Sequence, residues 1–132
     1  MKQIYSINNI NSLEININKP FLIFLKGDLG AGKTTITKHI INNILKISSN
    51  VTSPTYTYYN KYDDVYHFDL YRLKAYDEFF AIGGEDILDN NTGVILIEWP
   101  EIIENYYKAD LEIVFNKTDN PDEREIEFIY KL

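Results

Sequence analysis

The sequence predicts an α/β domain: a three-layer sandwich around a mixed, mostly parallel central sheet that closes with a C-terminal antiparallel hairpin. Three observations lead there. Two continuous apolar runs, Phe21 to Leu25 and Val94 to Ile97, are short and rich in β-formers, as in strands covered on both faces of a parallel sheet. The first passes through a Gly-rich turn into Thr34 to Ile47, where Ile36, Ile40, Ile44 and Ile47 recur at helical spacing with Lys38, Asn42 and Lys46 between them. Near the end, Leu111 to Phe115 and Glu125 to Tyr130 flank Asn120-Pro121-Asp122. The second of these runs alternates Ile126, Phe128 and Tyr130 with Glu125, Glu127 and Lys131, which reads as an edge hairpin with one wet face.

The remaining elements fall between these. Tyr56 to Tyr59 and Val65 to Tyr71 read as strands joined by a polar turn at Lys61 to Asp64, a second hairpin. In a sheet of this kind ligands sit at the carboxyl ends of the parallel strands.

Composition narrows the function. A chain of 132 residues with 45% hydrophobic content buries one core and is too short for two ordinary domains, so residues 1–132 are expected to form one. A formal charge of -7, spread along the chain, argues against a surface built to neutralise nucleic-acid phosphates or an anionic membrane. The absence of cysteine rules out disulfide and thiolate chemistry and fits a reducing compartment. The first residues lack the apolar core of a signal peptide, and no apolar run approaches bilayer-spanning length, so a cytoplasmic protein is expected. Stretches such as Asn8 to Asn18 are Asn- and Ile-rich, yet apolar residues punctuate them as in folded sequence.

Gly27-Asp28-Leu29-Gly30-Ala31-Gly32-Lys33-Thr34 satisfies the Gly-x-x-x-x-Gly-Lys-[Ser/Thr] pattern of a phosphate-binding P-loop, in the required setting between an apolar strand and an amphipathic helix. The glycines let the backbone close around an anion so that successive N–H groups point inward, and the helix beginning at Lys33 adds the positive end of its dipole. Lys33 is expected to reach the β and γ phosphates of ATP and the Thr34 hydroxyl to ligate Mg²⁺. Asp28, Gly30, Ala31, Gly32, Lys33, Thr34 and Thr35 are the expected nucleotide contacts. The chain thus reads as a P-loop nucleoside triphosphatase.

Magnesium between phosphates needs a carboxylate from the end of a neighbouring strand, held directly or through water. Glu98 closes the run Val94-Ile95-Leu96-Ile97 and is a candidate for the metal or for positioning water; the plain alternative is a solvated strand end. Asp69 is the second candidate. On a strand His67, Asp69 and Tyr71 share one face, opposite Phe68 and Leu70, which makes that face the polar one. The competing reading pairs Asp69 with Arg72 on the surface. His67 reads as a neutral strand residue hydrogen-bonded to backbone.

The P-loop, Ser53-Pro54-Thr55, His67-Phe68-Asp69-Leu70-Tyr71-Arg72, Gly83 with Asp86, and Glu98-Trp99-Pro100 occur in an order and spacing that resembles the TsaE family, over roughly Gly27 to Pro100. The resemblance implies a P-loop ATPase that works with TsaD and TsaB to form threonylcarbamoyladenosine at position 37 of tRNA. The tRNA is then met only through the complex, hydrolysis resets that complex, and the isolated protein is a weak ATPase. It further implies that Lys33 and Thr34 serve phosphate and metal, that Thr55 is a switch threonine near the γ-phosphate, that Asp69 and Glu98 are essential acids, and that Trp99 lies beside the nucleotide. How the acids divide metal binding and water activation stays open; the working assignment gives Glu98 the metal shell and Asp69 the water. Pro54 stiffens its loop in extended form, as a switch would require, and as an ordinary loop-to-strand junction would too. Trp99, the single tryptophan, is either a core residue or a nucleotide sensor. Asp77, Glu78, Glu85 and Asp86 flank Gly83-Gly84 as a solvated helix and loop or as a functional loop.

Three rival readings accompany this one. Asn116-Lys117-Thr118-Asp119 matches the guanine-reading signature of small GTPases, but no Asp-x-x-Gly switch follows the P-loop and Pro121 turns the chain into a hairpin. A small-molecule kinase would need several arginines around the transferred phosphoryl group, and only Arg72 and Arg124 exist. A non-catalytic module whose nucleotide state gates docking needs the same cradle as an ATPase.

Overall fold

Strand β2, Phe21–Lys26, lies at the centre of the protein because it is apolar toward both faces. The structure, a computed structural model, describes residues 2–27, 32–54 and 57–131. Parallel neighbours flank β2: β5, Val94–Glu98, on one side and β6, Leu111–Lys117, on the other. Beyond β5 follow β4, Val65–Asp69, in parallel, and β3, Tyr59–Tyr62, antiparallel at the edge. Beyond β6, β7 (Glu123–Tyr130) and then β1 (Lys2–Ser6) pair antiparallel. The seven-stranded order is β1-β7-β6-β2-β5-β4-β3.

Parallel pairing is therefore confined to the four central strands, three ladders against three antiparallel ones, and the sheet is mixed rather than mostly parallel. Short links impose two of the antiparallel ladders, β3–β4 and β6–β7, since a tight turn can return a strand only antiparallel to its predecessor. The β3–β4 turn is Asp63-Asp64, with Asp63 in the left-handed region at φ 55, two residues shorter than the expected Lys61 to Asp64. Tyr5 stands opposite Arg124 in the β1–β7 ladder, so β7 lies inside the sheet and the last hairpin does not form its edge.

The helix expected over Thr34 to Ile47 is wound in two ways. Helix α1, Lys33–Lys38, is regular, and His39–Ile44 continues it in wider π turns. Two side chains hold that departure. His39 Nε2 lies 2.6 Å from the Leu13 carbonyl, and Asn42 Nδ2 donates to the carbonyls of Ile47 and Ser49 at 2.8 and 3.0 Å, closing the helix early. On the other face lie α2, Tyr76–Ala81, and α3, Gly84–Asp89. Gly83 joins them at φ 86, and a Cβ on Gly84 would stand 2.4 Å from the Phe79 ring, so packing between the two helices dictates this glycine pair.

Strand alternation divides the core in two. Ile23, Leu25, Val94 and Leu96 pack with Ile36, Ile40 and Ile41 of the α1 segment, whereas Phe24, Ile95, Ile97 and Phe68 pack with Phe79 of α2. Each fully buried side chain of this size stabilises by about 1.5–3 kcal/mol, which fixes the pleat and with it the direction of every side chain at the strand ends. Glu98 continues the Val94-Leu96 side, beneath α1. Register places Leu25, Glu98 and Asp69 in one row across β2, β5 and β4, at their carboxyl ends.

Candidate functional site

The chain leaves β2 through Gly27 and enters α1 from Gly32, whose φ of 101 an L side chain would resist. Asp28, Gly30 and Ala31 lie outside the described residues, as does Thr55. Lys33 is almost wholly buried; its Nζ donates to the Gly27 carbonyl and stands 3.7 Å over the Trp99 ring. The Thr37 hydroxyl bonds back to the Lys33 carbonyl at 2.9 Å and secures this first turn. The Thr34 hydroxyl meets the Ser53 hydroxyl at 3.0 Å, so the Ser53-Pro54 segment touches the loop through serine.

Trp99 has the left-handed conformation at φ 58 and ψ 58 directly before Pro100, an unfavourable arrangement that turns its ring back over the strand ends. Tyr71 packs against it with ring centroids 4.8 Å apart. Asp69 is half-buried, and its Oδ1 accepts the Tyr71 amide at 3.0 Å. Burial pushes the Asp69 carboxyl above its usual range and the charge of Glu98 adds to this, while the Tyr71 amide opposes it. Arg72 lies 4.8 Å over the Tyr58 ring, which explains how its cation is used without a pairing to Asp69.

His67 corrects the sequence reading twice. The face it shares with Asp69 is not wet, since α1 covers it and His67 is fully buried; and its Nε2 meets the Glu98 Oε2 at 2.5 Å rather than backbone. Glu98 itself is 4% exposed, a buried acid rather than a solvated strand end.

One cavity of about 340 Å³ joins these groups. Gly32, Lys33, Thr34, Thr35 and Ser53 line one part, with Asp69, Glu98 and Trp99 beside them. Tyr5, Ser6, Ile10, Phe115, Arg124 and Ile126 line the rest, and none of these six was singled out as a site residue from sequence. Arg124 extends past the loop, its Cγ 4.0 Å from where a Gly32 Cβ would stand, and its Nη1 donates to the carbonyls of Pro121 and Glu123 at 2.8 and 2.7 Å. The Asn116-Lys117-Thr118-Asp119 signature takes no part: Asn116 and Lys117 finish β6, Thr118 closes its own turn with Asn120, and none of the four lines the cavity. Asp77, Glu78, Glu85 and Asp86 belong to α2 and α3 and also lie off it.

The oxygens of Thr34, Asp69 and Glu98, which line the same cavity, suit a hard divalent cation such as Mg²⁺, which keeps waters and phosphate oxygens beside one or two protein ligands. Among the described residues no three His, Cys, Asp or Glu converge as an all-protein metal cage.

The family described as "Threonylcarbamoyl adenosine biosynthesis protein TsaE" matches residues 4–126. The chain belongs to the TsaE family. The TsaE protein of Haemophilus influenzae is 38% identical over 121 residues, 89% of this chain and 75% of that protein. The Bacillus subtilis TsaE protein is 40% identical over 112 residues, 81% of this chain and 68% of its own. A Rickettsia felis relative, 43% identical, is matched over only half its length. A crystal structure of Bacillus subtilis YdiB superposes with a TM-score of 0.68 at 32% identity, covering 98% of this chain and 84% of that one. The mixed α/β architecture, with its seven-stranded sheet, thus shares its fold with that structure.

Proposed function

We propose that this TsaE-family protein binds Mg-ATP in the cavity and hydrolyses it slowly, supporting threonylcarbamoyladenosine formation at position 37 of tRNA together with TsaD and TsaB in the cytoplasm. The observation that carries this reading is the convergence of Lys33, Thr34, Asp69 and Glu98 at the carboxyl ends of β2, β4 and β5. Lys33 exchanges the Gly27 carbonyl and the Trp99 face for the β and γ phosphates. The Thr34 hydroxyl exchanges Ser53 for the metal, and Glu98 completes the protein's share of the metal shell. Bound magnesium supplies neutralisation of charge on the phosphates. Asp69, held by the Tyr71 amide and raised in proton affinity by burial, orients a water toward the γ-phosphorus and takes its proton as the bond to the leaving ADP oxygen breaks. The nucleoside lies along Tyr5, Phe115, Arg124 and Ile126, the part of the cavity that offers an apolar floor and one cation. Among the described residues no helix is long and apolar enough to cross a membrane. The acidic surface suits a basic face on the partner proteins, through which tRNA is reached.

Phosphate release from ATP, measured with and without TsaD and TsaB, tests the proposal. Slow release that the partners alter, and that Glu98→Ala abolishes, supports it. Release unaffected by Glu98→Ala contradicts it, and binding without any release leaves only a nucleotide-gated docking module.

A further inference from the structure

We propose that His67 is a positioning residue that locks the Glu98 carboxylate for its work in the cavity, an inference that rests on the assignment of Glu98 to the metal shell. The chain has two histidines, and they are used differently. His39 is partnered at both ring nitrogens, Nε2 2.6 Å from the Leu13 carbonyl and Nδ1 3.0 Å from Asn43 Nδ2, and so ties helix to backbone. His67 sits fully buried in β4, in register with Leu96 of β5, where an apolar side chain would pack without penalty. Its Nε2 stands 2.5 Å from Glu98 Oε2, and its buried Nδ1 meets no hydrogen-bond partner among the described residues.

An imidazole buried in a sheet is costly unless it is bonded, and the bond to Glu98 is the compensation this site provides. The orphan nitrogen identifies the form: a bare lone pair is better tolerated in a dry interior than an unpaired N–H. The Nε2–H of His67 accordingly donates to the Glu98 carboxyl oxygen and holds it. The consequence falls on the glutamate. With Oε2 engaged, Glu98 keeps one rotamer, and Oε1 remains for the cavity that Glu98 lines beside Thr34. A free glutamate at the strand end would lose rotamer freedom only when the cation arrives; here that ordering precedes binding. Outer partners of this kind typically change metal affinity by about 10- to 100-fold when removed.

Glutamine and asparagine at this position separate positioning from packing. The Gln amide nitrogen follows the same bond path as Nε2 and can donate to Glu98; the Asn amide reaches only as far as Nδ1. The readout is ATP affinity by titration calorimetry of the full chain, in excess Mg²⁺ and in EDTA, expressed as their ratio. His67→Asn is expected to reduce the ratio about tenfold or more while leaving metal-free ATP affinity unchanged, and His67→Gln to keep most of the parental ratio. A parental ratio in His67→Asn, or one shared value for both amides, overturns the proposal. Should His67→Asn fail to fold, His67→Gln decides alone: a folded protein that keeps the ratio supports it, and one that loses the ratio overturns it. A wild-type ratio of one would instead remove the metal assignment of Glu98, and this proposal with it.

Discussion

Asp69→Asn separates the chemistry proposed for the second acid from its cost to the fold. The substitution is nearly isosteric and keeps an oxygen for the Tyr71 amide, so the 3.0 Å bond survives. What it removes is a proton acceptor and a charge. Loss of a general base lowers a rate by about 10²- to 10⁴-fold, so γ-phosphate release should fall at least about 100-fold while Mg-ATP still binds. Stability should move the other way. Asp69 stands across from Glu98 in the parallel β4–β5 ladder, and burial together with the Glu98 charge disfavours its ionised form, so removing that charge should raise Tm. The pH dependence has a definite sign. Because burial raises the Asp69 pKa in the folded state above 3.8, ionising it is harder folded than unfolded. The Asn variant therefore gains most at pH values above the folded pKa, and the gain shrinks as pH falls through the folded pKa and is gone below 3.8, where the parental carboxyl becomes protonated in both states. Single-turnover phosphate release, calorimetric ATP titration and melts from about pH 3 to 8 read the three quantities. A variant that binds ATP normally and hydrolyses it at the parental rate would refute the base assignment, and a lower Tm at neutral pH would refute the electrostatic argument.

Further outcomes follow from the same geometry. Mg-ATP should change Trp99 emission, since binding draws the Lys33 ammonium from its place 3.7 Å over the ring, and unchanged emission in a titration would mean that Lys33 does not move. Arg124→Ala should weaken ATP more than inorganic tripolyphosphate in parallel calorimetry, because Arg124 lines the part of the cavity beyond the phosphate loop; equal losses would place its role at the phosphates. Gly32→Ala should destabilise by about 1–2 kcal/mol through its positive φ and should also weaken nucleotide binding, and a neutral effect on both by melt and titration would contradict the loop geometry.

The parts of the fold that were legible in the sequence are those set by local pattern. Phe21 to Leu25 and Val94 to Ile97 could be read as central strands because both faces of each are buried, so the apolar run is unbroken. Strand β1 could not: its pairing with β7 joins residues more than a hundred positions apart, and Lys2 to Ser6 carries no apolar alternation strong enough to announce it. Tyr5 and the place of Arg124 beside the loop were lost with it. The π turns of His39–Ile44 depend on a carbonyl delivered by Leu13, again a distant partner. At the site, the P-loop pattern singled out Lys33 and Thr34, the strand end Glu98, the shared strand face Asp69 and the family resemblance Trp99, and the five line one cavity. The burial of His67 is not legible in the sequence because strand alternation gives the parity of a side chain but not which face a helix will cover.

The proposed function depends on the phosphate loop and Lys33 closing around a triphosphate, and calorimetric titration of Mg-ATP into wild type and Lys33→Ala tests it most directly. Saturable uptake by wild type is expected, with affinity about 10- to 100-fold weaker in the variant, the loss of about 1.5–3 kcal/mol for hydrogen bonds to a charged group. Wild-type protein that takes up no Mg-nucleoside triphosphate, or a variant that matches it, would contradict the account.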